Sequence, residues 1–143
     1  MIKEFVEAWD ENKGELEVYL RDHIMGEYES YHELVTMLFD KVINPHFEWD
    51  FERFVIDNIR ELDDGDYQGT LVYVIHRDTY QPGPGDYVYT YVNYGSCSGC
   101  DTLLRITEYD DDKTPSDDQL KDLMQLCLHL LQNCRYMYTF EED

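Results

Sequence analysis

A chain of 143 residues, 43% hydrophobic and 15% aromatic, fits one domain of roughly 100–150 residues with one core, and its composition excludes the apolar-poor class of disordered chains. Against 11 Lys and Arg stand 32 Asp and Glu, a net charge of −21 spread over the whole length; such a field repels phosphate backbones and anionic membranes, which excludes direct nucleic-acid binding and favours basic partners. The N-terminus lacks the apolar core of a signal peptide and no run approaches the roughly 20 apolar residues of a membrane span, so the expected compartment is the cytoplasm, where thiols stay reduced.

The chain order begins with helices. Ile2, Phe5, Val6 and Trp9 recur at helical spacing over residues 2–10, with Glu4, Glu7 and Glu11 on other faces. Asn12 with Glu15 suits the N-terminal cap of a second helix bearing Leu16, Tyr19, Leu20 and Ile24, with Gly26 as its stop. Ser30 and Glu33 form a capping box for a third, with Leu34, Val35, Leu38, Phe39 and Val42 as its apolar stripe. Pro45 predicts Ile43 as its last residue, because the residue before proline is pushed out of the helical region.

From Phe54 the period falls to two. Residues 54–62 and 67–76 read as a β-hairpin joined by Asp63-Asp-Gly-Asp66, with Asp64-Gly65 supplying a positive φ. Gln81 to Gly85 is a rigid Pro/Gly loop, and Tyr87 to Tyr94 is a third strand. Tyr87, Tyr89 and Tyr91 alternate with Val88, Thr90 and Val92, so three phenols share one face. Tyrosine rows serve as protein-binding anchors, or simply as a half-buried face under a helix.

Asp101 to Glu108 reads as a short helix carrying Leu103, Leu104 and Ile106, and Asp110, Asp111 and Asp112 as a solvated acidic loop. Ser116 to Gln119 caps a final helix running to residue 136, whose core stripe is Leu120, Leu123, Met124, Cys127, Leu130, Leu131 and Cys134. The expected architecture is a single α+β domain over residues 1–143. A helical part (1–45) precedes an antiparallel sheet of about three strands (53–95), and a helical part (97–137) with a long C-terminal helix follows.

Cys97 and Cys100 sit in a Gly/Ser turn, and three readings of the pair stay open: a structural turn, half of a zinc site, or a redox dithiol. Cys127 and Cys134 cannot ligate one ion together, since seven helical residues separate them by about 10.5 Å along the axis; they read as small hydrophobes in the core. His129 falls on the polar side of the same helix. Asp63, Asp64 and Asp66 are the densest carboxylates, but in a turn such residues serve backbone geometry. No nucleophile elbow, phosphate loop, dinucleotide fingerprint or zinc-protease helix is present in the sequence. The chain therefore reads as a non-enzyme without a cofactor, zinc at the paired cysteines being the alternative.

Residues 63–75, 78–89, 94–104 and 123–133, and above all the segments G-D-Y-Q-G-T-L and Y-G-S-C-S-G-C-D-T-L, resemble a group of small bacteriophage proteins over about residues 63–137. The resemblance implies an early or accessory phage product acting in the bacterial host cytoplasm. Small acidic phage proteins of this kind resemble inhibitors of host nucleic-acid machinery or defence, including anti-CRISPR proteins and DNA mimics. The partner expected is thus a basic, nucleic-acid-binding host protein. The surface assigned to it comprises Glu4, Glu7, Glu11, Glu15, Asp63, Asp64, Asp66, Asp110, Asp111 and Asp112, with Tyr87, Tyr89 and Tyr91 as anchors. The other readings are a zinc or thiol-redox protein centred on Cys97 and Cys100, and a structural or assembly component of the virion.

Overall fold

The computed structural model describes residues 2–23, 31–65, 69–95, 102–107 and 113–137. Among them the chain forms a single α+β domain of helices α1 (Lys3–Arg21), α2 (Tyr31–Leu38), α3 (Thr102–Thr107) and α4 (Asp117–Gln132) and strands β1 (Arg60–Asp63), β2 (Gly69–His76), β3 (Tyr87–Tyr94) and β4 (Arg135–Tyr136). The strands make one antiparallel sheet in the order β1-β2-β3-β4. No helix among the described residues is long and apolar enough to cross a membrane.

The two N-terminal helices expected from the sequence are one. Asn12 does not cap a new helix: its side-chain amide reaches across to donate to the Val42 carbonyl, at 3.0 Å. Pro45, three residues on from Val42, has no N–H to offer that carbonyl, so Asn12 fills the vacancy. α1 buries Phe5, Ala8, Trp9, Leu16 and Leu20 on a single stripe that crosses position 12. Ile24, Gly26 and Ser30 lie outside the described residues.

α2 also continues past its expected form. After Leu38 it widens into a π-helical turn, Phe39–Ile43, then tightens into a 3-10 turn, Asn44–His46. Asn44 keeps helical dihedrals (φ −61°, ψ −41°) despite preceding Pro45. Its side chain explains the exception: the amide donates to the Phe54 carbonyl at 2.9 Å and its Oδ1 accepts from the Phe54 N–H at 2.8 Å. Phe5, Phe39 and Phe54 then meet edge to face at 5.3–5.9 Å in the centre of the core, a geometry in which positive ring edges meet negative ring faces.

The hairpin is shorter than its apolar run suggests. Residues 54–59 are not strand; Phe54 makes an isolated bridge to Arg77, and the ladder starts at Arg60. Neither Gly65 nor any other described glycine has a positive φ; Gln81 does, at 58°. β1 ends at Asp63 and β2 begins at Gly69, so more than a two-residue turn separates them, and aspartate side chains shape the described ends of the connection. Asp63 Oδ1 accepts from the Gly65 N–H at 3.0 Å and Asp64 Oδ1 from the Thr70 N–H at 2.6 Å. Gly69 is needed there, because a Cβ on it would stand 2.6 Å from Asp64 Oδ1 and 3.0 Å from the Gly65 backbone.

A fourth strand appears where the sequence suggests the end of the last helix. α4 stops at Gln132, and Arg135–Tyr136 pair with Tyr89 and Val88. The α4 cap is as expected, with Ser116 Oγ accepting from the Gln119 N–H and Gln119 Oε1 from the Ser116 N–H. Buried α4 positions are Leu120, Leu123, Leu126, Cys127, Leu130 and Leu131; Leu126 joins the stripe and Met124 lies at its half-buried rim. α3 is tied at both ends, since the Tyr31 hydroxyl accepts from the Leu103 N–H and Gln119 donates to the Ile106 carbonyl.

Cross-strand partners share a face, so the register assigns the two sides of the sheet. Leu71, Tyr73 and Ile75 pair with Val92, Thr90 and Val88 and face the helices. Val72, Val74 and His76 pair with Tyr91, Tyr89 and Tyr87 and face away. Arg77, at the end of β2, lies over the rings of Phe47, Phe54 and Tyr136 at 5.2, 4.7 and 5.8 Å. Its guanidinium donates to the Glu52 carbonyl and the Tyr136 hydroxyl, which joins the segment before β1 to the C-terminal strand.

Candidate interaction surfaces

The continuity of α1 gives its carboxylates an order. Glu4, Glu7, Glu11 and Glu15 are all exposed, and their spacing of three, four and four keeps them on one side of an unbroken helix. At about 1.5 Å per residue the row is about 16.5 Å long. Lys3 lies 4.0 Å from Glu7, and the ring of His46 approaches both Glu11 (Nδ1, 3.2 Å) and Glu7 (Nε2, 3.9 Å). Helical spacing could not reveal His46, because it comes from the 3-10 turn after α2.

Asp63 and Asp64 are exposed but committed to their loop. The Tyr94 hydroxyl donates to Asp63 Oδ1 at 2.5 Å. That hydrogen bond first, and the Gly65 N–H second, hold the Asp63 carboxyl below its ordinary pKa, as expected when donors stabilise the charged form. Asp66, Asp110, Asp111 and Asp112 lie outside the described residues, as do Cys97 and Cys100.

Tyr87, Tyr89 and Tyr91 form the expected row on β3, on the side turned away from α4 rather than beneath a helix. The glutamates of α1 and these phenols therefore do not share one patch. Leu62 is 54% and Tyr91 41% exposed, while Tyr87 and Tyr89 are half-buried against their neighbours on the same face.

Cys127 and Cys134 are fully buried. Burial pushes both thiols up to about 12, slightly opposed at Cys134 by the Thr90 hydroxyl and Arg135. Cys134 lies beyond the end of α4 rather than on it. His129 is exposed beside Gln125 at 3.1 Å. Among the described residues no group of three or more His, Cys, Asp and Glu is placed to hold a metal ion.

Two clefts are lined by described residues. One of about 460 Å³ runs between α1 and α4 over Trp9, Leu120, Met124 and Leu128, with Lys13, Arg21 and Lys121 at its rim; Arg21 is engaged by Glu17 at 2.9 Å. The other, about 430 Å³, lies between α2 and the segment before β1 and contains His23 and His32. His32 is oriented by Thr36 and the Ile59 carbonyl. No protein-family model, no curated protein and no solved structure matches the chain.

Proposed function

We propose that this protein is a non-enzymatic acidic inhibitor of phage type that binds a basic, nucleic-acid-binding protein of the bacterial host and acts in the host cytoplasm, in the manner of an anti-CRISPR or DNA-mimic protein. The observation that carries the reading is the unbroken row Glu4, Glu7, Glu11 and Glu15 on α1, in a chain of net charge −21. Four carboxylates along that row give one charge per roughly 5.5 Å, against one per about 3.4 Å for a single strand of duplex DNA. The row is sparser than a strand, so it serves as a polyanionic rail that steers a cationic groove into contact rather than as a phosphate-by-phosphate copy. Charge of this kind acts mainly on the association rate and is screened by salt.

The test begins with affinity capture from host lysate and continues with the captured protein in purified form. Binding is expected to weaken steeply from low to high ionic strength and to compete with duplex DNA. Replacing the four glutamates by glutamine should slow association at least tenfold while leaving the fold intact. An affinity indifferent to salt, or unchanged in that variant, overturns the reading.

A further inference from the structure

Residues 47–52 alternate aromatic and acidic side chains as Phe-Glu-Trp-Asp-Phe-Glu, and Arg53 follows. Phe47 is buried, whereas Trp49 and Phe51 are each 58% exposed. The two exposed rings lie 6.4 Å apart with their planes within 17° of each other. Phe47 and Trp49 have extended backbone, and a 3-10 turn, Asp50–Glu52, follows. The segment is tied down along its length: Arg53 Nε donates to the Phe47 carbonyl at 2.9 Å, Arg77 donates to the Glu52 carbonyl, and the Asp78 N–H donates to the Arg53 carbonyl at 2.7 Å. The rings therefore stand in water on a fixed frame, so a ligand meets them already placed and little ordering cost is left to its binding.

We propose that Trp49 and Phe51 form a receptor for an arginine side chain of the basic partner, an inference that rests on the reading of that partner as basic. Charge selects the occupant. Glu48 and Asp50 are exposed beside the rings and Glu52 is half-buried, in a molecule of net charge −21. An anion, a nucleobase with its phosphate or a second copy of the chain would each bring negative charge against these three acids. Arg53, the one cation of the segment, is turned back to the Phe47 carbonyl, and its contact with Asp50 is a long 3.9 Å. Phe47, the first ring of the alternation, already helps to hold a guanidinium, that of Arg77. Among the described residues no cation lies over Trp49 or Phe51. A planar, weakly hydrated guanidinium stacks on near-parallel ring faces while its N–H groups fork toward carboxylates, which a compact ammonium does less well. Exposed tryptophan is also among the residues that dominate interface energies.

The experiment is an NMR titration of the full chain with a blocked Gly-Arg-Gly-Arg-Gly peptide at physiological salt. The chain has two tryptophans, so Trp49 reports binding through its indole N–H while the buried Trp9 serves as an internal control of the fold. The Trp49 signal should move with a dissociation constant of about 1–10 mM and the Trp9 signal should stay. The same peptide with uncharged citrulline in place of arginine should leave Trp49 still. Phe51→Ala, and independently Glu48→Gln with Asp50→Asn, should each raise the constant at least about threefold. Replacing Glu4, Glu7, Glu11 and Glu15 by glutamine should change it less than about twofold, because screening removes most of a distant exposed charge. A Trp49 signal that does not move, one that moves equally with the citrulline peptide, or a constant indifferent to both local variants overturns the proposal. If host-lysate capture still yields a salt-sensitive partner, that failure leaves the polyanionic reading standing; a responsive Trp49 beside salt-indifferent capture leaves the receptor and removes the rail.

Discussion

The Thr90 hydroxyl donates to the Leu130 carbonyl at 2.6 Å, and both residues are buried. Leu130 sits in the last turn of α4, where carbonyls lack partners from the helix itself; the Cys134 N–H bonds Leu131 instead. β3 thus completes the end of α4 and fixes helix against sheet. In Thr90→Val the buried carbonyl keeps only the long Cys134 thiol contact of 3.4 Å, so the domain should lose about 1–3 kcal/mol. Urea unfolding would register a lower midpoint at an unchanged slope, and Thr90→Ser should recover much of the loss.

Gly14 lies in the middle of α1, and a Cβ there would meet nothing within 4 Å. Gly14→Ala should stabilise the domain by about 0.5–1 kcal/mol, since glycine is the costlier residue in an exposed helix interior. The measurement also reports on the helix: a chain broken near Asn12 would gain little from the change.

Both buried thiols imply a loss of stability in alkali. Cys127 and Cys134 release their protons near 9 in the unfolded chain and only near 12 in the fold. Above 9 the unfolded state therefore binds fewer protons, and stability falls with rising pH by about 1.4 kcal/mol per pH unit for each thiol. Unfolding midpoints between pH 8 and 11 should show this slope, flattened in the Cys127→Ala, Cys134→Ala double variant. At neutral pH the same two thiols should ignore a disulfide reagent until denaturant is added.

Tyr94 and Asp63 make the converse case at the surface. The carboxyl is held below its ordinary 3.8, so the stabilisation it contributes is present above that value and fades as pH falls through the lower, folded one. In Tyr94→Phe the Asp63 carboxyl should titrate higher, toward 3.8. Carbon-detected NMR titration of the two proteins would resolve the difference, and coincident curves would remove Tyr94 as its cause.

The parts of the fold legible in the sequence are those whose determinants are local. Ser116 with Gln119 announces α4, and the alternation from Tyr87 to Tyr94 announces β3. The rest depends on contacts distant in sequence. Asn12 looks like a cap until Val42 is seen across the core, and Asn44 can remain helical before Pro45 only because Phe54 binds its side chain. β4 is two residues long and has no period to read. For the candidate surfaces, the acids were nameable one by one, but their alignment required α1 to pass through Asn12. Likewise the tyrosines could be assigned to one side of a strand, whereas which side stays uncovered is decided by where α4 packs. Arg60 and Arg135 join that side through the register of edge strands that give little or no signal of their own.

Arg77 has a consequence for how this protein meets harsh conditions. The cation is enclosed by three aromatic rings and bound to a main-chain oxygen and a phenol, and among the described residues it makes no ion pair with a carboxylate. Acid that neutralises every Asp and Glu, or salt that masks them, leaves each of those partners unchanged. The closure of the sheet by its last strand is thereby insulated from the electrostatics that govern the rest of the surface.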